Sequence, residues 1–382
     1  MEKSKQLDPF GKSVWTAALL IAGIAIGAGE LGLPLALGGA GYYPAVAGVC
    51  LIYICTLVSG MLIARLVVES RHGDLPVLFL KYLGNGWATL FNVSYFTLAF
   101  CLLVAYWSGL LSLLGGYALV MCVLGIGVYI GLCYNCELLR KFCSLGTIAL
   151  IISFLLLVAI GFCNSKHSFQ SVSHWRLMAP GLPIILCSFG YHQIIPTICR
   201  QLDYQPSAIR RALLLGTFVP LAVTLLVLTL GFRIFSQNEL MEAAKLGLPM
   251  FALFRNHGAN ELVFIIGRCF SILAIATSLL GIAMAMNGAL ADIRFRRMNT
   301  NKFRELLVMV PLPIALLCPH LFVTVLGIAG GIFGNIIAGI IPIMPFLTRQ
   351  RFRPGYLLLW LIFVGILFTE LAQMLKLVPP LF

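Results

Sequence analysis

Charged residues are scarce in this chain. Only 10% of its 382 residues are Asp, Glu, Lys or Arg, and 60% are hydrophobic, whereas about a quarter of the residues in a soluble domain are charged. This scarcity excludes a soluble globular protein, and no polar stretch is long enough to form a separate soluble domain. The sequence instead contains a series of apolar runs of about 20 residues, each able to cross a bilayer as a helix. It therefore predicts an all-α polytopic membrane protein.

Acidic residues are half as frequent as basic ones, with 13 Asp and Glu against 26 Lys and Arg, so the net charge is +13. Such an excess could indicate nucleic-acid binding, but the predicted membrane layout accounts for it. Eleven spans are predicted at roughly 14–38, 43–66, 89–112, 115–134, 143–163, 180–200, 208–233, 261–286, 306–325, 327–347 and 356–377. Boundaries found in this way carry an error of about two to four residues.

The basic residues fall mainly on one side of this layout. With the N-terminus in the cytoplasm, 19 of the 26 Lys and Arg residues lie in the inner segments, as the positive-inside rule requires. An odd number of spans then places the C-terminus outside. Contact with anionic membrane lipid explains the basic inner segments, so lipid is a predicted partner and nucleic acid is not.

Clusters of catalytic or metal-binding residues are also lacking. The six histidines are scattered, and no Asp or Glu lies near His192 in the sequence. The twelve cysteines lie mostly inside apolar runs, and Cys133 and Cys136 form a single C-x-x-C. The sequence therefore predicts no metal and no cofactor, and a membrane-embedded enzyme stays a remote alternative. A channel is disfavoured because no repeated selectivity-filter motif is present.

Helix-breaking residues interrupt two of the spans. The first contains GAGELGLP at residues 27–34, and the sixth contains Ser-Phe-Gly-Tyr-His at 188–192, flanked by Pro183 and Pro196. Glycine is costly inside a helix and proline removes a backbone hydrogen bond. Unwound backbone at membrane depth persists only where it lines a cavity or is buried in protein. Paired broken helices of this kind indicate the central binding site of a transporter.

The two breaks lie five spans apart, which predicts a five-plus-five inverted repeat. Because five is odd, the second half would enter the membrane from the opposite side. The predicted repeats cover about 14–163 and 180–347, and one extra C-terminal helix follows at about 356–377. Residues 1–382 are thus interpreted as a single transmembrane transporter domain.

Glu30 stands between the glycines of the first break. A charge at the bilayer centre costs roughly 3 kcal/mol or more, so the carboxyl must be protonated, paired or in a wet cavity. Helical rise puts Glu30 and Arg268 at similar depth in the outer half of the membrane. Two interpretations stay open: a fixed Glu30–Arg268 pair that only holds helices together, or a functional carboxylate with Arg268 as a gate. Glu370 and Asp292, near the ends of their spans, are expected to be solvated or at the headgroups.

Four stretches together resemble the hydroxy- and aromatic amino acid permease family, which includes bacterial tyrosine and tryptophan permeases. They are AGIAIGAGELGLPLALGGAGYYPA in the first span, SFGYHQIIPTI in the sixth, YQPSAIRRALLLGTFVPL at 204–221 and AIATSLLGI at 274–282. The likeness runs from about residue 14 to residue 347. The family belongs to the amino acid–polyamine–organocation superfamily.

The resemblance implies a fold in which broken helices 1 and 6 surround the substrate. It implies uptake of an aromatic amino acid, tyrosine or tryptophan, by cation symport across the bacterial inner membrane through alternating access. The family usually has an apolar residue at the position of Glu30, and this departure leaves a serine- or threonine-type substrate as an alternative. Oligomeric state is not predicted.

The residues of the two breaks are the predicted substrate site. The backbone N–H groups of Gly27, Ala28 and Gly29, at the positive end of the outer half-helix, would receive the substrate carboxylate. The alternative for these small residues is tight helix packing. Glu30 is a candidate for binding the substrate ammonium.

In the sixth span, freed carbonyls around Ser188, Phe189, Gly190, Tyr191 and His192 would accept hydrogen bonds from the ammonium group. Phe189 or Tyr191 could pack against an aromatic substrate; otherwise both are aromatic residues packed in the bundle.

Four residues are candidates for coupling transport to an ion. Glu30 or His192 could carry a proton, although His192 could also be a hydrogen-bonded structural residue. In sodium-coupled members of the superfamily, hydroxyls at the positions of Thr277 and Ser278 hold the ion, whereas such hydroxyls otherwise bond to their own helix. A proton is the predicted coupling ion, and sodium is the alternative.

Overall fold

The computed structural model describes residues 12–71, 75–134, 136–163, 172–252, 261–292, 310–348, 352–375 and 377. Regular structure within these residues is helical. The α-helices are α1 (Lys12–Ala25), α2 (Leu33–Ala36), α3 (Tyr42–Ser70), α4 (Leu75–Leu83), α5 (Asn85–Leu113), α6 (Ala118–Tyr134), α7 (Cys136–Cys163), α8 (Leu182–Ser188), α9 (Ile195–Gln201), α10 (Pro206–Ile234), α11 (Gln237–Lys245), α12 (Glu261–Asp292), α13 (Pro311–Leu317), α14 (Phe322–Ile328), α15 (Ile341–Thr348) and α16 (Pro354–Met374).

Short 3₁₀-helical and π-helical segments join several of these α-helices. Short 3₁₀ segments lie at Ala28–Gly32, Trp175–Gly181, His192–Ile194 and Met250–Ala252. Two π-helical segments, Ala329–Gly334 and Ile336–Ile340, connect α14 to α15. Such wide turns occur mostly at functional sites or where a side chain is inserted into the helix ladder.

The helices confirm a multi-pass membrane protein. Eight helical segments in the described part of the chain are long and apolar enough to cross a membrane. Val14–Ala25 and Ala28–Ala36, which are bent by 41° relative to each other, make a ninth if the pair is one span. The predicted count of eleven stays a prediction. One predicted span contains the 17-residue helix Ala118–Tyr134, which is short for a crossing.

One predicted boundary is wrong. The span predicted at 306–325 is interrupted, because α13 ends at Leu317 and α14 begins at Phe322. Pro319 lies in this gap, and a proline disfavours helix at the residue before it.

The extra C-terminal helix, predicted at 356–377, runs from Pro354 to Met374. The inverted relation of the two halves stays a prediction.

The broken spans lie inside the bundle. In the most apolar part of Trp175–Gln201, 72% of the residues are buried, against 22% in Glu137–Cys163 and in Pro354–Met374. Helix α1 packs against α10, the segment around α8 packs against α3, and α12 packs between α5 and α7. Most of the unwound backbone of both breaks is therefore covered by protein, as the absence of water in hydrocarbon demands; Gly190 is the exposed residue of the second break.

Several connecting segments meet at one end of the bundle, here called the α11 face. The His174 N–H donates to Ala40 O at 2.8 Å, Gln237 Nε2 donates to Gly39 O at 3.2 Å, and Gln373 Nε2 donates to Pro180 O at 3.2 Å. The basic-residue pattern predicts all of these segments on the outer side. Their proximity agrees with that layout, and the side of the membrane they face stays a prediction.

Candidate functional site

The first break begins where α1 ends, at Ala25. Gly27 is extended, with φ −157° and ψ −165°, so the Ala28 N–H has left the helical ladder. It donates to Ser278 Oγ at 3.2 Å, which ties the break to α12. Helix α2 then starts with Pro34 in its first turn, where the missing N–H of proline leaves no hydrogen bond unmade.

The second break separates α8 from the 3₁₀ turn His192–Ile194 that leads into α9. Its backbone forms local turn bonds: the Phe189 N–H donates to Leu186 O at 3.2 Å, and the Tyr191 N–H donates to Phe189 O at 3.1 Å. Phe189 and Tyr191 are buried, whereas Gly190 between them is exposed. The backbone of Gly190 is therefore open to a ligand at the point where the helix is interrupted.

The two breaks touch each other at Gly29 and Ser188. A Cβ added at Gly29 would lie 2.9 Å from Ser188 Oγ, closer than real side chains approach, so only glycine allows this packing. Ser188 Oγ itself donates to Ile184 O at 3.4 Å within α8. A Cβ at Gly27 would lie 3.0 Å from Ser278 Oγ. The fold thus brings predicted site residues from the first break, α8 and α12 into direct contact.

Glu30 is buried beside this contact, with 1% of its surface exposed. Thr224 Oγ1, from α10, donates to Glu30 Oε1 at 3.0 Å. The second carboxyl oxygen, Oε2, is buried and has no hydrogen-bond partner. Buried polar atoms are almost always paired, so an unpaired carboxyl oxygen next to two helix breaks marks a place for a proton or for a donor group of a ligand.

Arg268 does not pair with Glu30. Its guanidinium donates through both Nε, at 2.8 Å, and Nη2 to the carbonyl of Leu113, the last residue of α5. A cation at a helix C-terminus is favoured by the helix dipole. The salt bridge considered from the sequence is therefore not formed. Glu30 and Arg268 were expected at similar depth, but depth does not determine which neighbour each side chain contacts. The role of Arg268 as a gate stays a prediction.

Tyr191 and His192 are bound to α3. Tyr191 Oη donates to Thr56 O at 2.9 Å, and His192 Nε2 lies 3.2 Å from the same carbonyl. Their rings stack with centroids 4.6 Å apart. Gly60 makes room, because a Cβ there would lie 2.7 Å from Tyr191 Oη. The pair fastens the second break to a long unbroken helix.

The imidazole of His192 has one free nitrogen. A carbonyl can only accept, so the contact with Thr56 assigns the hydrogen of a neutral ring to Nε2. Nδ1 is then an acceptor, and it is buried without a partner. His192 can therefore take up a proton at Nδ1 without giving up its bond to α3.

The two hydroxyls proposed for sodium are placed differently. Thr277 Oγ1 donates to Leu273 O at 2.8 Å, inside its own helix, whereas Ser278 Oγ accepts from the first break. Of these two hydroxyl residues, only Ser278 is seen in contact with the break.

Phe189, in the second break, packs at a tilt on Tyr53, with ring centroids 6.0 Å apart.

Sequence reasoning missed several neighbours of the site. Thr224 is the hydrogen-bond partner of Glu30, and Tyr106 lies beside the Ser278 side chain. Threonine inside a helix usually bonds to its own backbone, as Thr217 does in the same helix. No signal in the sequence therefore distinguishes Thr224 from Thr217.

The expectation for Glu370 was wrong. Its side chain is buried rather than solvated, with 5% of its surface exposed, and it packs against Gly327 and Gly331. Proximity to a helix end did not decide its exposure, because the bundle covers that face of α16. The side chain of Asp292 lies outside the described residues.

Comparison with known proteins gives a consistent picture. The sequence matches the tryptophan/tyrosine permease family over residues 11–371. It is 29% identical to a tryptophan-specific transport protein of Pseudomonas aeruginosa, over 91% of this chain and 89% of the relative. It is 26% identical to the tyrosine-specific transport system 2 of Haemophilus influenzae, over 82% of each chain. It is also 24% identical to glutamine transporter 2 of Aliivibrio fischeri, over 88% of this chain and 89% of the relative.

Replacing Gly29 by alanine tests the contact between the breaks. Gly29→Ala places a methyl group 2.9 Å from Ser188 Oγ, and we expect overpacking to destabilise the protein by about 1–3 kcal/mol. Ser188→Ala removes the clashing atom, so the double variant should regain most of the lost stability. The apparent melting temperature in detergent, followed by size-exclusion chromatography, measures both. Equal stability of Gly29→Ala and the double variant would contradict the contact.

Replacing Thr224 by valine tests the environment of Glu30. Thr224→Val leaves the buried carboxyl without its donor, which should cost about 1–3 kcal/mol. Thr217→Val is the matched control: Thr217 is also buried in α10, but its hydroxyl bonds only to its own helix. We expect this control to lose less than Thr224→Val, about 1 kcal/mol at most, because it removes one intrahelical hydrogen bond and leaves no buried carboxyl without its donor. The apparent melting temperature in detergent measures both variants. Equal losses of stability in Thr224→Val and Thr217→Val would show that burial of the Glu30 carboxyl does not depend on the Thr224 hydroxyl.

Proposed function

The chain belongs to the tryptophan/tyrosine permease family, and from this premise we propose that it is a secondary active transporter that imports tryptophan or tyrosine by proton symport. It is a multi-pass transport protein and not an enzyme, so the alternative of a membrane-embedded enzyme is rejected. The proposed location is the bacterial inner membrane, with the N-terminus in the cytoplasm and the α11 face outside.

One observation carries the proposal: two interrupted helices meet inside the bundle, at Gly29 and Ser188. Helix ends at membrane depth supply N–H groups to a carboxylate and carbonyls to an ammonium group, which are the two charges of an amino acid. The substrate carboxylate would bind at Gly27–Gly29. It would compete with Ser278 Oγ for the Ala28 N–H, since that bond already exists without substrate.

The ammonium group would bind between Glu30 and the exposed backbone of Gly190. Glu30 Oε2 has no partner, so it can accept from a positively charged donor without losing a bond. Phe189 and Tyr191 are fully buried in this structure, so they would provide apolar surface for an aromatic side chain only when the site opens. The names of the tryptophan and tyrosine transport relatives support this substrate class, and glutamine, serine and threonine are the competing substrates to be tested.

Coupling to protons follows from where Glu30 lies. A charged carboxylate can face water or a cation, but it cannot be enclosed alone in an apolar bundle without a large cost. The site can therefore close only when Glu30 carries a proton or holds the substrate ammonium group. Nothing in the bonding of Glu30 opposes this, because its partner is the neutral hydroxyl of Thr224.

His192 and Ser278 define the remaining coupling alternatives. His192 offers Nδ1 as a second proton acceptor, close to the break but fastened to α3. A sodium site needs several oxygen ligands, and Ser278 contributes one at the break, whereas the Thr277 hydroxyl is engaged within α12. These contacts favour the proton over sodium as the coupling ion.

Transport into proteoliposomes tests the proposed function. An inward proton gradient without sodium should drive accumulation of labelled tryptophan or tyrosine. A gradient of one pH unit supplies about 1.4 kcal/mol per proton, enough for about tenfold accumulation. Competition by all twenty unlabelled amino acids ranks the substrates, with glutamine and serine as the informative ones. Transport of neither aromatic amino acid would refute the substrate class, and accumulation only under a sodium gradient would refute proton coupling.

Glu30→Gln tests the coupling residue. The amide keeps the size of the side chain but cannot exchange a proton at this position, so we expect the about tenfold accumulation at one pH unit to fall to equilibration. Exchange of internal for external substrate, which needs no gradient, should persist. Glu137→Gln is the control, because Glu137 is an exposed carboxylate paired with Arg140. Undiminished pH-driven accumulation by Glu30→Gln would show that another group carries the proton.

A further inference from the structure

A second buried carboxyl lies outside the candidate substrate site. Glu370 is the one charged residue within α16, Pro354–Met374, and it lies in a groove on α14 and the first π-helical segment. A Cβ added at Gly331 would lie 2.8 Å from Glu370 Cγ, and one at Gly327 would lie 3.4 Å from Oε1. Glycines four residues apart share one helix face, so together they make the space that the carboxyl side chain fills.

The carboxyl of Glu370 has no compensating charge in the described part of the chain. Oε2 is buried without a hydrogen-bond partner. The two salt bridges found among the described residues, Arg65–Glu69 and Arg140–Glu137, do not involve it. An ionised carboxylate would therefore lie unpaired in an apolar bundle, which costs far more than a neutral carboxyl.

The elements packed against α16 bring few titratable groups. They are α14, the two π-helical segments, α15, α8 and the segment Trp175–Gly181; α14, the π-helical segments and α15 contain no titratable residue. Trp175–Gly181 contributes Arg176, which is exposed. Helix α8 contributes Cys187, whose Cβ packs against Gly330. Lys376, beyond the end of α16, lies outside the described residues.

From this geometry we propose that Glu370 is a proton-binding site, separate from the substrate site, that holds α16 against the α11-face half of the broken sixth span while its carboxyl is protonated. The neutral carboxyl remains in the glycine groove. The carboxylate formed when the proton leaves must reach water or a cation, so the groove opens between α16 and the helices that it covers.

Contacts on both sides of Glu370 connect this site to the sixth span. A Cβ at Gly331 would lie 2.9 Å from Pro183 Cβ, in α8. One helical turn from Glu370, Gln373 Nε2 donates to Pro180 O at 3.2 Å. Pro180 and Pro183 begin the half-helix that ends at the second break. Glu370 is four residues from the end of α16, or about 6 Å of helical rise, so its proton can exchange with the solution at the α11 face.

Infrared spectroscopy of the purified full-length protein tests whether Glu370 binds a proton in the packed state. At neutral pH we expect the wild-type spectrum to contain a protonated-carboxyl band that Glu370→Gln lacks. Glu137→Gln, which removes an exposed carboxylate, should leave this band unchanged. Identical carboxyl bands in wild type and Glu370→Gln would overturn the proposal. If the glutamine variant does not fold, Glu370→Leu gives the same subtraction with an apolar side chain.

Hydrogen–deuterium exchange tests the opening. After correction for the intrinsic effect of pH, exchange in peptides covering 180–188 and 327–334 should quicken at least about threefold from mildly acidic to mildly alkaline pH, which reports local opening. Glu370→Gln should show no such change, and Glu137→Gln should behave as wild type. A pH-independent wild type, or opening that responds to sodium instead of pH, would overturn the proposal.

The Glu370 proposal does not depend on the proposed function, because neither measurement uses an amino acid. A protein that transports neither tryptophan nor tyrosine would therefore refute the transport proposal while leaving the Glu370 measurements decisive.

Discussion

Backbone polar groups that leave a helix inside the membrane must find partners within the protein, and the candidate site is built around this requirement. In the first break, the Ala28 N–H is released from the helical ladder and donates to Ser278 of α12. The second break is held by the side chains of Tyr191 and His192, which share the Thr56 carbonyl of α3. Each break is thus fastened to a different long helix. The two breaks meet where Gly29 packs on Ser188, so a displacement of either break acts directly on the other.

This arrangement separates a fastened part of the site from an open part. Tyr191 and His192 have used their hydrogen-bonding atoms on α3, apart from His192 Nδ1, whereas Gly190 is exposed and Glu30 Oε2 is unpaired. Free backbone and a free carboxyl oxygen are thus present in the second and the first break, respectively. Binding a zwitterion at the proposed site would satisfy groups that otherwise lack partners, and that gain would favour a filled site over an empty closed one.

The sequence allowed the breaks to be located, because glycine and proline act on the backbone locally. Residues 27–34 and 188–192 could be found without any knowledge of packing. Contacts across the bundle could not be predicted in the same way. Spans that are apolar on most faces give little indication of which face is turned inward. Arg268 was therefore considered as a partner of Glu30 on depth alone, whereas its guanidinium caps α5. Thr224 was missed and Glu370 was wrongly expected to be solvated or at the headgroups for the same reason, since their environments depend on helix rotation and not on position along the helix.

In the sixth span, a buried carboxyl lies beside each end of the half-helix α8. Ser188, at its end, packs on Gly29 next to Glu30, and Pro183, near its start, faces the groove of Glu370. Both carboxyls have an unpaired oxygen, and no salt bridge to either is found among the described residues. The packed position of this half-helix is compatible with neutral side chains at both places and is disfavoured by charge at either. Because Glu30 alone lies beside the break, only its neutralisation could be supplied by a substrate ammonium group at the proposed site. Neutralisation of Glu370 would depend on the proton concentration at the α11 face, so the two carboxyls would make closure of the half-helix depend on substrate and on pH through separate contacts.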